Sequence, residues 1–148
     1  MPLEYRKLDE IDNENTAWMK VVIKEHGWPT VDMVGKDGAA AAWLLVQHAD
    51  MDTAFQRQSL DSMTQLPKNS VSQQDLAYLT DRVLLAEGKK QLYGTQFTKL
   101  DGKLTLRPVE DESQLDSRRS AMGLPPMAEQ LKMLKDLYVP SNDASKEE

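Results

Sequence analysis

Apolar residues recur at helical spacing early in the chain. Trp18, Met19, Val22 and Ile23 share one face, which predicts a helix from about Asn15 to His26 with that face inward. Gly27 is placed to end it in a left-handed conformation, and Pro29 blocks its resumption. Trp28 to Gly38 then reads as a connection, with Asp37 an N-cap. A second helix, about Gly38 to Ala49, is apolar nearly all round and belongs in the middle of a domain. Asp50 or Asp52 can cap a third, roughly Thr53 to Leu66, which Pro67 ends. Ser72 followed by Asp75 resembles a capping box and opens a fourth, from Gln73 to about Glu87.

The period then changes. Gln91 to Lys99 and Lys103 to Val109 are rich in Thr, Tyr, Phe and Leu and flank Asp101-Gly102, a strong signal for a two-residue hairpin turn. That turn sets Phe97 opposite Leu106 and Lys99 opposite Leu104. The hairpin's apolar face then carries Gln91, Tyr93, Phe97, Leu104 and Leu106. Two closing helices, about Glu112 to Met122 and Met127 to Tyr138, are separated by Gly123-Leu-Pro-Pro126. A lone hairpin is marginal in water and must pack on helices. The expected fold is therefore mainly helical with one small antiparallel hairpin. It forms a single domain over residues 15–138, after a lead-in (1–14) and before a disordered polar tail (139–148).

Composition narrows the function classes. The chain has 148 residues, a net charge of −6 and no cysteine, so thiolate metal sites and cysteine nucleophiles are excluded. The longest apolar run, Ala39 to Val46, is too short for a membrane span. Met-Pro-Leu-Glu-Tyr-Arg-Lys does not read as a secretory signal, which fits a cytoplasmic protein. No basic stripe is present to meet nucleic acid. No HExxH or HxH metal pair, GxSxG elbow or Gly-rich phosphate loop occurs, so no metal or other cofactor is expected.

Polar residues nevertheless fall on apolar helix faces. His26 ends the stripe of Met19, Val22 and Ile23; His48 ends that of Ala41, Leu44 and Leu45. Gln56 lies with Leu60 and Met63, Asp81 with Ala77, Leu84 and Leu85, Arg82 with Tyr78 and Leu79, and Arg119 follows Leu115. An unpaired buried polar group costs ~1–3 kcal/mol, so several together point to a shared polar pocket. There His26 and His48 would act as general acid and base. Arg82 and Arg119 would hold a carboxylate or phosphate, while Tyr93, Gln91, Gln47 and Gln56 orient a small polar or anionic ligand. Asp81 belongs to the same set. Gln96 falls opposite Arg107 on the other hairpin face, unless a bulge at Gly94 turns it inward. The rival reading is a non-catalytic interaction protein, immunity-type or accessory, whose acidic surface meets a basic partner and whose polar groups only fix the core.

Five blocks carry a resemblance: His26-Gly-Trp-Pro29, Gln47-His-Ala-Asp50, Asp81-Arg82, Gln91-Leu-Tyr-Gly-Thr-Gln96, and Arg118-Arg119 with Gly123-Leu124. Together, over about Asn15 to Leu131, the chain resembles a bacterial domain family of unknown function common in actinobacteria. Relatives often carry a further acidic, helical stretch ahead of Asn15. The resemblance implies that these polar residues are characteristic of the family, and it supplies no reaction.

Overall fold

A computed structural model describes residues 3–138. The expected polar tail, 139–148, lies outside the described residues. Six helices and one hairpin appear among them: α1 (Leu3–His26), α2 (Val31–Gln47), α3 (Thr53–Thr64), α4 (Gln73–Ala86), β1 (Phe97–Leu100), β2 (Lys103–Leu106), α5 (Leu115–Ala121) and α6 (Met127–Tyr138). A short 3-10 turn, Glu112–Gln114, leads into α5. The fold is mainly helical with a small two-stranded antiparallel sheet, as the pattern predicts. No helix of the described residues is long and apolar enough to cross a membrane.

Several boundaries follow from local chemistry. The N–H of Gly27 bonds the carbonyl of Ile23 at 2.9 Å with φ at 77°, which only glycine adopts freely. Asp52 caps α3 by accepting from the Phe55 N–H at 2.9 Å, and Ser72 caps α4 through the Asp75 N–H at 3.2 Å. Asp101 and Gly102, both with positive φ, make the predicted turn and hold Phe97 opposite Leu106.

Other expectations are corrected. α1 starts at Leu3, not Asn15. Its extra turns are polar on most sides, so they lack the periodic apolar signal. α2 starts at Val31, with Thr30 and not Asp37 at its N-cap, and it is kinked at Gly35 (φ 75°, ψ 171°). Trp18 faces solvent at 59% exposure, whereas its neighbour Met19 is buried. α2 is also less enclosed than an all-apolar helix should be, with Leu44 47% exposed. Strand pairing is confined to residues 97–106. Gln91 and Tyr93 precede it in an irregular segment, where Gln91 makes only an isolated bridge to Val109.

Two apolar clusters result. The larger joins α1 to α4 around Met19, Val46, Phe55, Leu60, Leu79 and Val83. The smaller joins the hairpin, α5 and α6 through Val109, Leu115 and Met127, with Phe97, Leu106 and Leu131. The segment from Gly88 to Gln96 runs along the seam between them.

Candidate functional site

The seam is fastened by the polar residues of α4 and α5. Asp81 has no exposed surface. Its Oδ1 accepts from the N–H groups of Leu92 (2.8 Å) and Tyr93 (3.0 Å). Its Oδ2 accepts from the N–H (2.9 Å) and hydroxyl (2.8 Å) of Thr95. Gln91, equally buried, donates to the carbonyls of Gln96 (3.0 Å) and Arg107 (2.9 Å) and accepts from the Gln96 N–H (3.0 Å). Arg119 is 1% exposed and donates to the carbonyls of Pro125 and Tyr93, each at 2.7 Å. Burial lowers its guanidinium below the usual arginine value, against the opposing pull of Tyr78, Asp116 and Asp81. Arg118 donates to the carbonyls of Leu92, Glu110 and Asp111. All four side chains spend their hydrogen bonds within the fold, mostly on backbone.

Gly94 completes this segment. It has φ 64°, and a Cβ there would lie 3.1 Å from Met127 Sδ. No strand bulge is needed, because the irregular segment itself turns Gln96 toward α4. There Arg82 Nη1 donates to Gln96 Oε1 at 3.3 Å. Tyr93 contributes its backbone to both Asp81 and Arg119, and its phenol is half-buried. Burial, and then the Asp81 carboxylate, push that phenol above its ordinary value near ~10, so it stays neutral at physiological pH.

Three of the expected residues, Gln56, Arg82 and Gln96, do converge. A cleft of about 530 Å³ opens between the start of α3, the end of α4 and the hairpin. Its polar lining is Asp50, Thr53, Gln56, Arg82, Gln96 and Arg107. Asp50 receives Arg82 through two parallel bonds, Nε to Oδ1 and Nη2 to Oδ2, each 2.8 Å. Gln56, 1% exposed, donates to Asp50 Oδ1 (3.2 Å) and to the carbonyls of Val46 and Gln47. It thereby ties the end of α2 to α3. Gln47 is buried beside this junction, and its Oε1 has no hydrogen-bond partner. Arg107 is exposed, and its guanidinium has no partner among the described residues.

The histidines do not share a pocket. His26 is exposed at the end of α1, 3.7 Å from Glu25. His48 is exposed at the C-cap of α2. The two sit at opposite ends of α2, on the order of 20 Å apart. His26 lies in the last turn of α1, past the buried part of its stripe, and His48 lies on a face of α2 whose Ala41 and Leu44 are also exposed. His48 borders a hollow of about 110 Å³ shared with Asp9, Asp12 and Asp50. Asp50 lines both hollow and cleft, whereas His48 lines the hollow alone. Among the described residues no three histidine or carboxylate side chains are placed to hold a metal ion.

A family model described as a family of unknown function, DUF6624, matches residues 3–141. The chain belongs to this family. No curated protein and no solved structure matches the chain. Because the family model runs from residue 3, it includes the turns of α1 ahead of Asn15, whose Asp9 and Asp12 flank His48. Asp50 and Arg107 line the cleft, and helix periodicity did not single them out. Asp50 precedes a helix and reads as a cap. Arg107 faces Gln96 across the hairpin, and that pairing was its one signal in the sequence.

The Arg82 hydrogen bonds, then its charge, hold the Asp50 carboxyl below the usual carboxylate range. An acid with a depressed folded value contributes stability above its unfolded value of ~4, and that contribution is lost as pH falls through the lower folded value. Wild type should therefore lose more stability than Asp50→Asn between neutral pH and pH ~3. Urea unfolding across that range tests this, and parallel losses in the two proteins would exclude Asp50 as the titrating group.

Proposed function

We propose that this protein binds a small polar anion, carboxylate or phosphate in chemistry, in the cleft between α3, α4 and the hairpin. The unpartnered guanidinium of Arg107 carries this reading. One carboxylate and two guanidiniums line the cleft, and the carboxylate is already matched by Arg82. An incoming anion meets one free fork of donors, with the amide of Gln96 beside it. Asp81, Gln91 and Arg119 support the site by holding the segment that presents Gln96, and do not touch the ligand. His48 acts through Asp50. His26, at the other end of α2, takes no part.

Titration with inorganic phosphate and with succinate, followed by heteronuclear NMR, tests the reading. Arg107→Ala should weaken binding about tenfold with little change in melting temperature. Asp50→Asn, which releases Arg82, should strengthen it. Equal binding by wild type and Arg107→Ala, or chemical-shift changes away from Gln96 and Arg107, would overturn the assignment.

The interaction-protein reading has one observation of its own. Leu8, Ile11, Trp18 and Val21 are each at least half exposed along α1, and apolar surface of that kind commonly marks a protein contact.

A further inference from the structure

A second hollow lies at the opposite end of the α3–α4 pair and shares no residue with the cleft. It measures about 410 Å³, within the range of small-molecule pockets. Its origin is in the sequence of α2. The break at Gly35 sets the first turn apart, and the N–H of Val31 ties that turn to the Ser70 carbonyl at 3.0 Å. Beyond the break the wall of α2 is Ala39, Ala40 and Trp43, and two of these are too small to reach the facing Met63 and Val71. No side chain of the described residues fills the gap.

The lining combines a flat apolar interior with one acidic group. Trp28 and Trp43 supply indoles, and Met63 and Val71 close the floor. The Trp43 Nε1–H is buried without an acceptor. Asp75, on the first turn of α4, is half-buried at the wall, and its carboxyl has no ion-pair partner among the described residues. Burial raises that carboxyl above its ordinary value, opposed by hydrogen bonding with Ser72. A cation brought to Asp75 would relieve that cost, and indole faces attract cations as well. Lys36 is also on the rim, but it is exposed and its long stem lets the ammonium remain in water.

We infer that this hollow is a binding site for a small aromatic amine, its ring among Trp28, Trp43, Met63 and Val71 and its ammonium at Asp75. The ligand class follows from the pairing of two indoles with a carboxylate that lacks a cation.

The test uses three probes of one size, 2-phenylethylamine, 2-phenylethanol and phenylacetate. They are titrated against a Trp18→Phe protein, so that all tryptophan emission comes from Trp28 and Trp43. The amine should give a saturable change and bind about fivefold more tightly than the alcohol. Asp75→Asn should erase that preference. Ala39→Phe should abolish binding of both while leaving the circular dichroism unchanged. Ala40→Phe, at the more exposed neighbouring position, is the second blocking variant should the first fail to fold. No saturable signal with any probe, equal or tighter binding of phenylacetate, a preference that survives Asp75→Asn, or undiminished binding in a folded blocking variant would each overturn the inference. Phosphate binding at Arg107 is unaffected by every one of these outcomes, so the two sites stand or fall separately.

Discussion

Asp81→Ala is expected to destabilise the protein by about 3–5 kcal/mol, a large share of the ~5–15 kcal/mol that holds a domain of this size. The carboxylate accepts four hydrogen bonds from Leu92, Tyr93 and Thr95, all at 3.0 Å or less. Bonds to a charged group contribute ~1.5–3 kcal/mol each, and burying the charge itself takes back part of that sum. Alanine removes every acceptor and leaves three backbone N–H groups unpaired at the seam. Water reaches some of them, which is why the expected loss stops short of the full total. Asp81→Asn keeps one oxygen but turns an NH₂ toward donors, so it should lose about half as much. Urea unfolding gives the energies. Hydrogen exchange at Leu92, Tyr93 and Thr95 should lose protection before the α1–α4 core does. A variant within ~1 kcal/mol of wild type would show that the segment is held by other contacts. Anion affinity in the cleft should fall as well, because Thr95 and Gln96 are adjacent and Gln96 meets Arg82 there.

What could be read from the sequence divides along physical lines. Helix periodicity placed Gln56, Asp81 and Arg119 on inward faces, and all three are buried. Burial of a side chain is a property of its own helix, so a local pattern reveals it. Register across Asp101-Gly102 was legible for the same reason. The partners were not. Asp81 satisfies backbone donors more than ten residues away, and nothing local distinguishes such a structural anchor from a group aimed at a ligand. The histidines failed in the opposite direction. His26 sits where a stripe that begins at buried Met19 runs out into the helix end, whereas the His48 stripe itself faces water, with Ala41 and Leu44 exposed. Trp18 misled for a related reason: a helix packed on one side only, as α1 is against α2, tolerates a large apolar residue facing water. The cleft required three non-local contacts at once, and only the cross-hairpin pairing of Gln96 with Arg107 could have pointed to it.

Arg119→Met should cost about 2–4 kcal/mol, despite nearly matching the side-chain volume. Two contributions oppose each other. Among the described residues no carboxylate lies at ion-pair distance from the buried Arg119 cation, so methionine escapes its desolvation penalty. Against that, the carbonyls of Pro125 and Tyr93 each lose a charge-assisted bond of 2.7 Å, and Gln130 loses a weaker one at 3.4 Å. Those two carbonyls lie on different segments, one leading into α6 and the other in the seam. A single planar guanidinium spans both, and the hydrogen bonds outweigh the relief of desolvation. Arg119→Lys separates these contributions. It keeps the charge and its desolvation penalty, but one ammonium cannot reproduce the fixed fork that joins the two segments. If spanning is what matters, lysine should be no better than methionine, and both should expose the amides of the smaller cluster around Val109, Leu115 and Met127 to exchange. If charge alone matters, lysine should restore near-wild-type stability. Urea unfolding of the two variants, with exchange read at Tyr93 and Met127, decides between these outcomes.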